Sequence, residues 1–206
     1  MDPIQRLTEH FEHFPGIGPR QAKRFVYHLL KSSPAVLQDI AHSLSLLKRH
    51  MRICDACFRF FEPNGNALVC PFCTDTRRDH NVLMIVSKDI DLENIERSGS
   101  YRGLYFVLGG TIPILEKNPE RKVRSRELLK RILDEKLPQP TEIIIALNST
   151  PEGDNTADFL THLLEPLLQK TPFTISTLGR GLSTGLELEY SDGDTIKHAI
   201  KNRSHL

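Results

Sequence analysis

The spacing of apolar residues changes character near residue 81. Before it, apolar positions recur with a helical period. Ala22, Phe25, Val26, Leu29 and Leu30 fall at i, i+3, i+4, i+7 and i+8, one apolar stripe on a helix that opens at Pro19. Residues 3–31 therefore predict two helices around a glycine turn. Leu37, Ile40, Ala41, Leu44 and Leu47 predict a third helix over 35–50. After residue 81 the apolar residues come in short unbroken runs. Val82–Val86 predicts a buried strand, and Leu104–Leu108, Glu142–Leu147 and Phe173–Leu178 predict three more. Between them the spacing predicts a short helix capped by Asp89 and running to Arg97, and a helix capped by Ser125 with Leu128, Leu129, Ile132 and Leu133 on one face. A third runs over 155–169. Strands alternating with helices imply crossover connections and a mostly parallel sheet. The expected class is α+β, built from several modules.

Composition narrows the possibilities. The 206 residues are 39% hydrophobic and 26% charged, with a net charge of +1. That balance excludes a disordered tail or a collagen-like chain. The net charge gives no global reason to expect nucleic acid, but its distribution does. Residues 1–52 hold eight Lys and Arg against four Asp and Glu, while 81–206 hold sixteen against eighteen. No apolar run approaches the roughly 20 residues a membrane helix needs. Met1–His13 carries Asp2, Arg6, Glu9 and Glu12, with no apolar core such as a signal peptide requires. A cytoplasmic protein is expected, whose four cysteines favour metal over disulfides.

Those cysteines form Cys54-x2-Cys57 and Cys70-x2-Cys73, twelve residues apart. Each turn brings two thiolates to one ion, and two turns complete a tetrahedral shell with no open position. Residues 62–66, Glu-Pro-Asn-Gly-Asn, let the chain double back between the pairs. A structural Zn²⁺ is expected, with iron as the minor alternative.

The string Phe14-Pro15-Gly16-Ile17-Gly18-Pro19-Arg20-Gln21-Ala22 resembles the helix-hairpin-helix DNA-binding motif. Gly16, Ile17 and Gly18 let backbone amides approach a phosphate, and Arg20, Lys23 and Arg24 add charge for its neighbours. Such contacts hold DNA without reading its sequence. The competing reading is an ordinary helical turn with a solvated basic face.

The order of these pieces, with Arg78-Asp79, Tyr101-Arg102-Gly103-Leu104-Tyr105, Val107-Leu108-Gly109-Gly110, Glu152-Gly153, Thr156-Ala157 and the 185–190 string ending in Leu188-Glu189-Tyr190, resembles the bacterial RecR family of recombination-repair proteins. The resemblance covers nearly the whole chain. It implies a helix-hairpin-helix module at 1–52, a C4-type zinc finger at 53–79, a Rossmann-like Toprim domain at 80–175 and a C-terminal assembly segment at 176–206. It further implies a DNA-binding mediator that works with RecO and RecF to load RecA onto single-stranded DNA coated by SSB. Such proteins assemble into dimers or ring-like tetramers, so a homo-oligomer is expected.

Catalytic Toprim domains hold Mg²⁺ on a Glu after the first strand and an Asp-x-Asp after the third. Here those positions read Ser87 and Asn148-Ser149-Thr150. Asn148 and Thr150 fit the family, whereas Ser87 departs from its usual Glu. The expectation is therefore a binding platform rather than an enzyme, with Glu152 as a contact for RecO. The alternative is a Mg²⁺-dependent nuclease or primase-like phosphotransferase using Glu152 and Asp154, two acids that otherwise read as helix N-terminal charge. Two more stretches depart from the family. Residues 116–131 carry seven basic and three acidic residues, either an extra DNA contact or a solvated charge run. Residues 177–185 are more degenerate than the family's Walker B-like string. No phosphate-binding Gly-x4-Gly-Lys-Ser/Thr loop occurs, so ATP hydrolysis is not expected.

Overall fold

The computed structural model describes residues 2–135, 137–169, 171–182, 185 and 187–203. It divides into two compact units, Met1–Met51 and Arg52–Leu206. No helix among the described residues is long and apolar enough to cross a membrane.

The first unit is three helices: α1 (Pro3–Glu12), α2 (Pro19–Lys31) and α3 (Pro34–His50). Each begins with proline, whose missing N–H is no loss in a first turn. Asp2 and Ser33 cap α1 and α3 by accepting from the Ile4 and Val36 amides. Phe11 of α1 meets Phe25 of α2 edge-on, with ring centroids 5.7 Å apart, and Ala22 and Val26 are buried beneath. The stripe expected on α3 exists, but no α3 residue is buried within the unit, and Leu44 and Leu47 are exposed.

The second unit centres on four parallel strands. They are β3 (Asp79–Val86), β4 (Gly103–Val107), β5 (Glu142–Ala146) and β6 (Thr174–Thr177), in the order β4-β3-β5-β6. Helices α6 (Ser125–Leu133) and α7 (Pro151–Leu164) supply Leu128, Ile132, Leu160 and Leu164 to one face. These pack with Leu83, Ile85, Phe106, Ile143 and Ile145 of the strands. Helix α5 (Asp89–Ser98) puts Leu92 against Met84, Val86, Tyr105 and Val107 on the other face. Covering both faces explains why β3, β4 and β5 carry continuous apolar runs, while β6 at the other edge alternates polar and apolar residues. Beyond the sheet lies the C-terminal helix α8 (Gly193–Lys201).

Ahead of the sheet, β1 (Arg52–Ile53) and β2 (Phe60–Phe61) pair antiparallel, and the short α4 (Pro71–Thr74) carries the second cysteine pair. This small lobe sits on β4, an edge strand. The Val107 amide donates to the Cys57 carbonyl at 2.8 Å. Phe58 packs with Phe106 on one side of β4 and Phe72 with Tyr105 on the other. The lobe thus grips an edge that would otherwise expose unpaired backbone groups.

Several sequence expectations are corrected. Asp89 does not cap α5; it is the first helical residue and accepts from the Phe60 amide at 2.8 Å. The cap is made by Asp91, which accepts from the Lys88 amide and the Ser87 hydroxyl. Ser125 does not cap α6 either, since Arg124 holds that position and the Ser125 hydroxyl donates to the Glu120 carbonyl. Helix α7 starts at Pro151 rather than 155, because Thr150 accepts from the Gly153 amide and Pro151 presets the first turn. It tightens to a 3₁₀ turn over Glu165–Gln169, where Pro166 interrupts the helical hydrogen bonds. Of the residues read as a charge run, Arg131 is buried and Arg124 is half-buried.

Candidate functional site

The CxxC turns bring four sulfurs together. All four lie within 4.8 Å of one another, with Cys57–Cys70 at 3.5 Å and Cys54–Cys73 at 4.0 Å. A tetrahedral ion with metal–sulfur bonds of about 2.3 Å needs sulfurs about 3.8 Å apart, so the cluster fits one. Cys54, Cys57 and Cys70 are buried and Cys73 is half-buried. The first knuckle closes through the Phe58 amide on the Cys54 carbonyl at 2.9 Å, which forces Phe58 into the left-handed region at φ 62°. The Cys70 amide donates to the Cys54 sulfur at 3.2 Å. Crowding polarises the thiols. Hydrogen bonds, first from Cys57, pull Cys54 far below the ordinary thiol range, and the pairing with Cys54 pushes Cys73 far above it. A bound cation would ionise all four together.

The hairpin residues stand in one turn between α1 and α2. Gly16 has φ 79°, a conformation that disfavours any side chain. Gly18 differs. Its φ is −89°, and a Cβ there meets nothing within 4 Å. The fold of this unit therefore has no steric need for glycine at 18. As N-cap of α2 it offers no side chain, so the first-turn amides carry no side-chain cap. Ile17 is half-buried and its amide donates to the Phe14 carbonyl at 3.1 Å. Arg20, Lys23 and Arg24 are all exposed on α2 and make no ion pair among the described residues. An outward helix N-terminus flanked by three cations suits an anion.

The carboxyl ends of β3 and β5, neighbouring strands, carry Ser87 and Asn148. Ser87 is buried and its hydroxyl donates to Asp91 at 2.5 Å. Thr150 caps α7, and Gly153 is packed so close to this turn that a Cβ would lie 1.9 Å from the Asn148 carbonyl oxygen. Ser87 and Thr150 thus have local structural tasks. Glu152 is exposed in the first turn of α7. Asp154, the other acid there, is engaged by the Arg180 guanidinium, which holds its carboxyl below the usual range. Arg180 in turn accepts on its carbonyl from the Asn202 side-chain amide at 2.7 Å. Of the strings at 177–185 and 185–190, Ser183, Thr184 and Leu186 lie outside the described residues.

Sequence reasoning missed three residues that organise the sheet edge. Arg124 donates to the Val107 carbonyl at 2.8 Å and the Phe58 carbonyl at 3.3 Å, tying lobe to sheet. Arg131 is buried and donates to the Pro138 carbonyl, its charge penalised by burial. Arg180 reaches Asp154 across 26 residues. Their exposed neighbours hide them, since a one-dimensional charge run cannot show which cations turn inward.

Comparison with known proteins follows the same order of pieces. The family model described as "RecR, helix-hairpin-helix" matches residues 4–47, the Toprim domain model 81–178 and "RecR, C-terminal" 181–204. Recombination protein RecR of Cutibacterium acnes is 35% identical over 204 residues, covering 99% of this chain and 96% of its own. That of Treponema pallidum is 36% identical over 203 residues, covering 98% and 96%. That of Chloroflexus aggregans is 35% identical over 204 residues, covering 99% and 94%. With its three segments matched in order and such likeness along its whole length, the chain belongs to the RecR family of recombination proteins.

Proposed function

We propose that this chain is a non-enzymatic, DNA-binding mediator of recombinational repair. The observation that carries the reading is Gly18. It is a helix N-cap with no internal reason to lack a side chain, beside three exposed cations. A phosphate approaching the α2 amides supplies that reason. The contacts are sequence-neutral, as a repair mediator requires.

The four-cysteine centre holds Zn²⁺ in a structural role, because four thiolates leave no position for substrate. The Toprim module serves as a protein-binding platform. Ser87, Asn148 and Thr150 provide no carboxylate set for Mg²⁺, and Asp154 is engaged by Arg180. Exposed Glu152 contacts RecO. With RecO and RecF the protein promotes loading of RecA onto SSB-coated single-stranded DNA in the cytoplasm. It acts as a homo-oligomer, ring-like where it encircles DNA, and the exposed apolar stripe of α3 supports self-association.

The test is a DNA titration across salt concentrations, comparing wild type with the Arg20→Glu/Arg24→Glu pair. The double variant should bind at least ~10-fold more weakly and lose roughly 2 units of log–log salt slope. Unchanged affinity refutes the hairpin as the DNA site. A pull-down with RecO should lose signal on Glu152→Ala while DNA binding persists. Mg²⁺-dependent cleavage or synthesis by the purified protein, abolished by Glu152→Ala, would overturn the non-enzymatic reading.

A further inference from the structure

We propose a second DNA-backbone contact on the sheet module, formed by Lys117, Arg121, Lys122 and Arg126. The charge there is local. Residues 117–126 hold five basic residues and one acidic, whereas 81–206 outside the 116–131 run hold nine basic against fifteen acidic. A concentrated positive patch on an otherwise acidic module is the footprint of a polyanion site.

Its position suits ligand binding. The stretch borders a shallow cleft of about 450 Å³ at the carboxyl end of β4, whose lining holds Arg121, Lys122, Arg124 and Arg126 against the two acids Glu120 and Glu127. The neighbouring strand end carries neutral Ser87, whose hydroxyl donates to the Asp91 carboxylate.

The backbone is held in place. The Arg124 amide donates to the Leu108 carbonyl at 2.9 Å, and its guanidinium is spent on the Val107 and Phe58 carbonyls. The Arg121 and Lys122 amides close a 3₁₀ turn on the Asn118 and Pro119 carbonyls. The other cations are available. Lys117 and Arg121 make no ion pair among the described residues. Lys122 meets Glu116 at 3.2 Å, and the Arg126–Glu120 pair spans 3.9 Å with the Arg126 side chain 82% exposed. The Arg126–Glu120 pair, exposed on both sides, is weak and yields to a phosphate. No aromatic residue lines the cleft, so nothing there stacks a base or nucleoside. The chemistry recognised is therefore a repeating phosphate chain. This site stands independently of the hairpin.

Fluorescence anisotropy with an oligonucleotide, in single- and double-stranded form across salt, tests it. Lys117→Glu/Arg121→Glu/Arg126→Glu should weaken binding ~10-fold or more and lower the salt slope by roughly 2–3. The loss should recur in the Arg20→Glu/Arg24→Glu background. Circular dichroism and metal content should match wild type, because these side chains are exposed. The milder Arg121→Gln/Arg126→Gln pair should give a smaller loss of the same sign. Wild-type affinity and slope in both patch variants would overturn the proposal, even where the hairpin variant fails to bind. So would polyglutamate binding that the patch variants abolish while DNA binding is unchanged, which reassigns the patch to an acidic protein.

Discussion

The backbone amide of Val107 donates to the carbonyl oxygen of Cys57 at 2.8 Å, joining the edge strand to a metal-binding knuckle. The cysteine lobe is therefore a cover for β4 as well as a separate small fold. Its phenylalanines straddle the strand, Phe58 against one face of the sheet and Phe72 against the other.

Metal removal should consequently be felt in the sheet. Cys70→Ser should lose about one metal ion per chain and lower Tm by about 10 °C or more, the equivalent of several kcal/mol. Hydrogen exchange should rise along β4 as well as around the cysteines. Exchange confined to residues 53–73 would show that the lobe and the strand are energetically separate.

Two glycines should respond in opposite ways. Gly153→Ala places a Cβ 1.9 Å from the Asn148 carbonyl oxygen, so the start of α7 must shift. The expected cost is about 1–3 kcal/mol, visible in denaturant melting. Gly18→Ala meets no atom within 4 Å and should cost less than about 1 kcal/mol. It should instead weaken DNA binding.

Arg78 should prove central to stability. It donates to both oxygens of Glu96, at 2.9 and 2.6 Å, and to the Gly103 carbonyl at 3.0 Å, with its guanidinium over the Phe72 ring. Arg78→Ala removes the two-pronged partner of a half-buried carboxylate and one of the two cations over the Phe72 ring, where Arg59 remains. A loss of about 2–4 kcal/mol in chemical denaturation is expected. The double variant with Glu96→Ala should recover part of it, because the stranded carboxylate is gone.

The Arg180–Asp154 pair sets a pH dependence. The guanidinium holds Asp154 below its ordinary range. A carboxyl depressed by folding stabilises above its unfolded pKa of about 3.9 and loses that contribution as pH falls through the lower folded value. The tie is thus intact at neutral pH and released in acid. Arg180→Ala should move the NMR titration midpoint of Asp154 up toward about 3.9. An unmoved midpoint would mean that the pair does not form in solution.

Much of this protein is written locally. Four short stretches marked all four sheet strands; those of β3, β4 and β5 read as apolar runs because both faces are covered, whereas edge strand β6 alternates polar and apolar residues and holds no buried one. The doubled CxxC spacing marked the four-sulfur cluster, because the geometry of a shared site constrains near neighbours in the chain. The glycine string with its cations marked the hairpin for similar reasons. What failed were assignments that depend on distant partners. Asp89 reads as a cap by sequence, yet it bonds Phe60, 29 residues away. Ser125 reads likewise, yet Arg124 takes that position because Val107 and Phe58 hold its side chain.

The sequence by itself determined the order of modules, the parallel sheet and the four-cysteine cluster, all properties of period and spacing. Only the tertiary structure decided that the cysteine lobe seals the edge of β4, that Arg124 and Arg131 turn inward while Arg121 and Arg126 face water, and that Arg180 engages Asp154. Those outcomes depend on which surfaces meet across long chain separations, and no local pattern of residue types encodes that meeting.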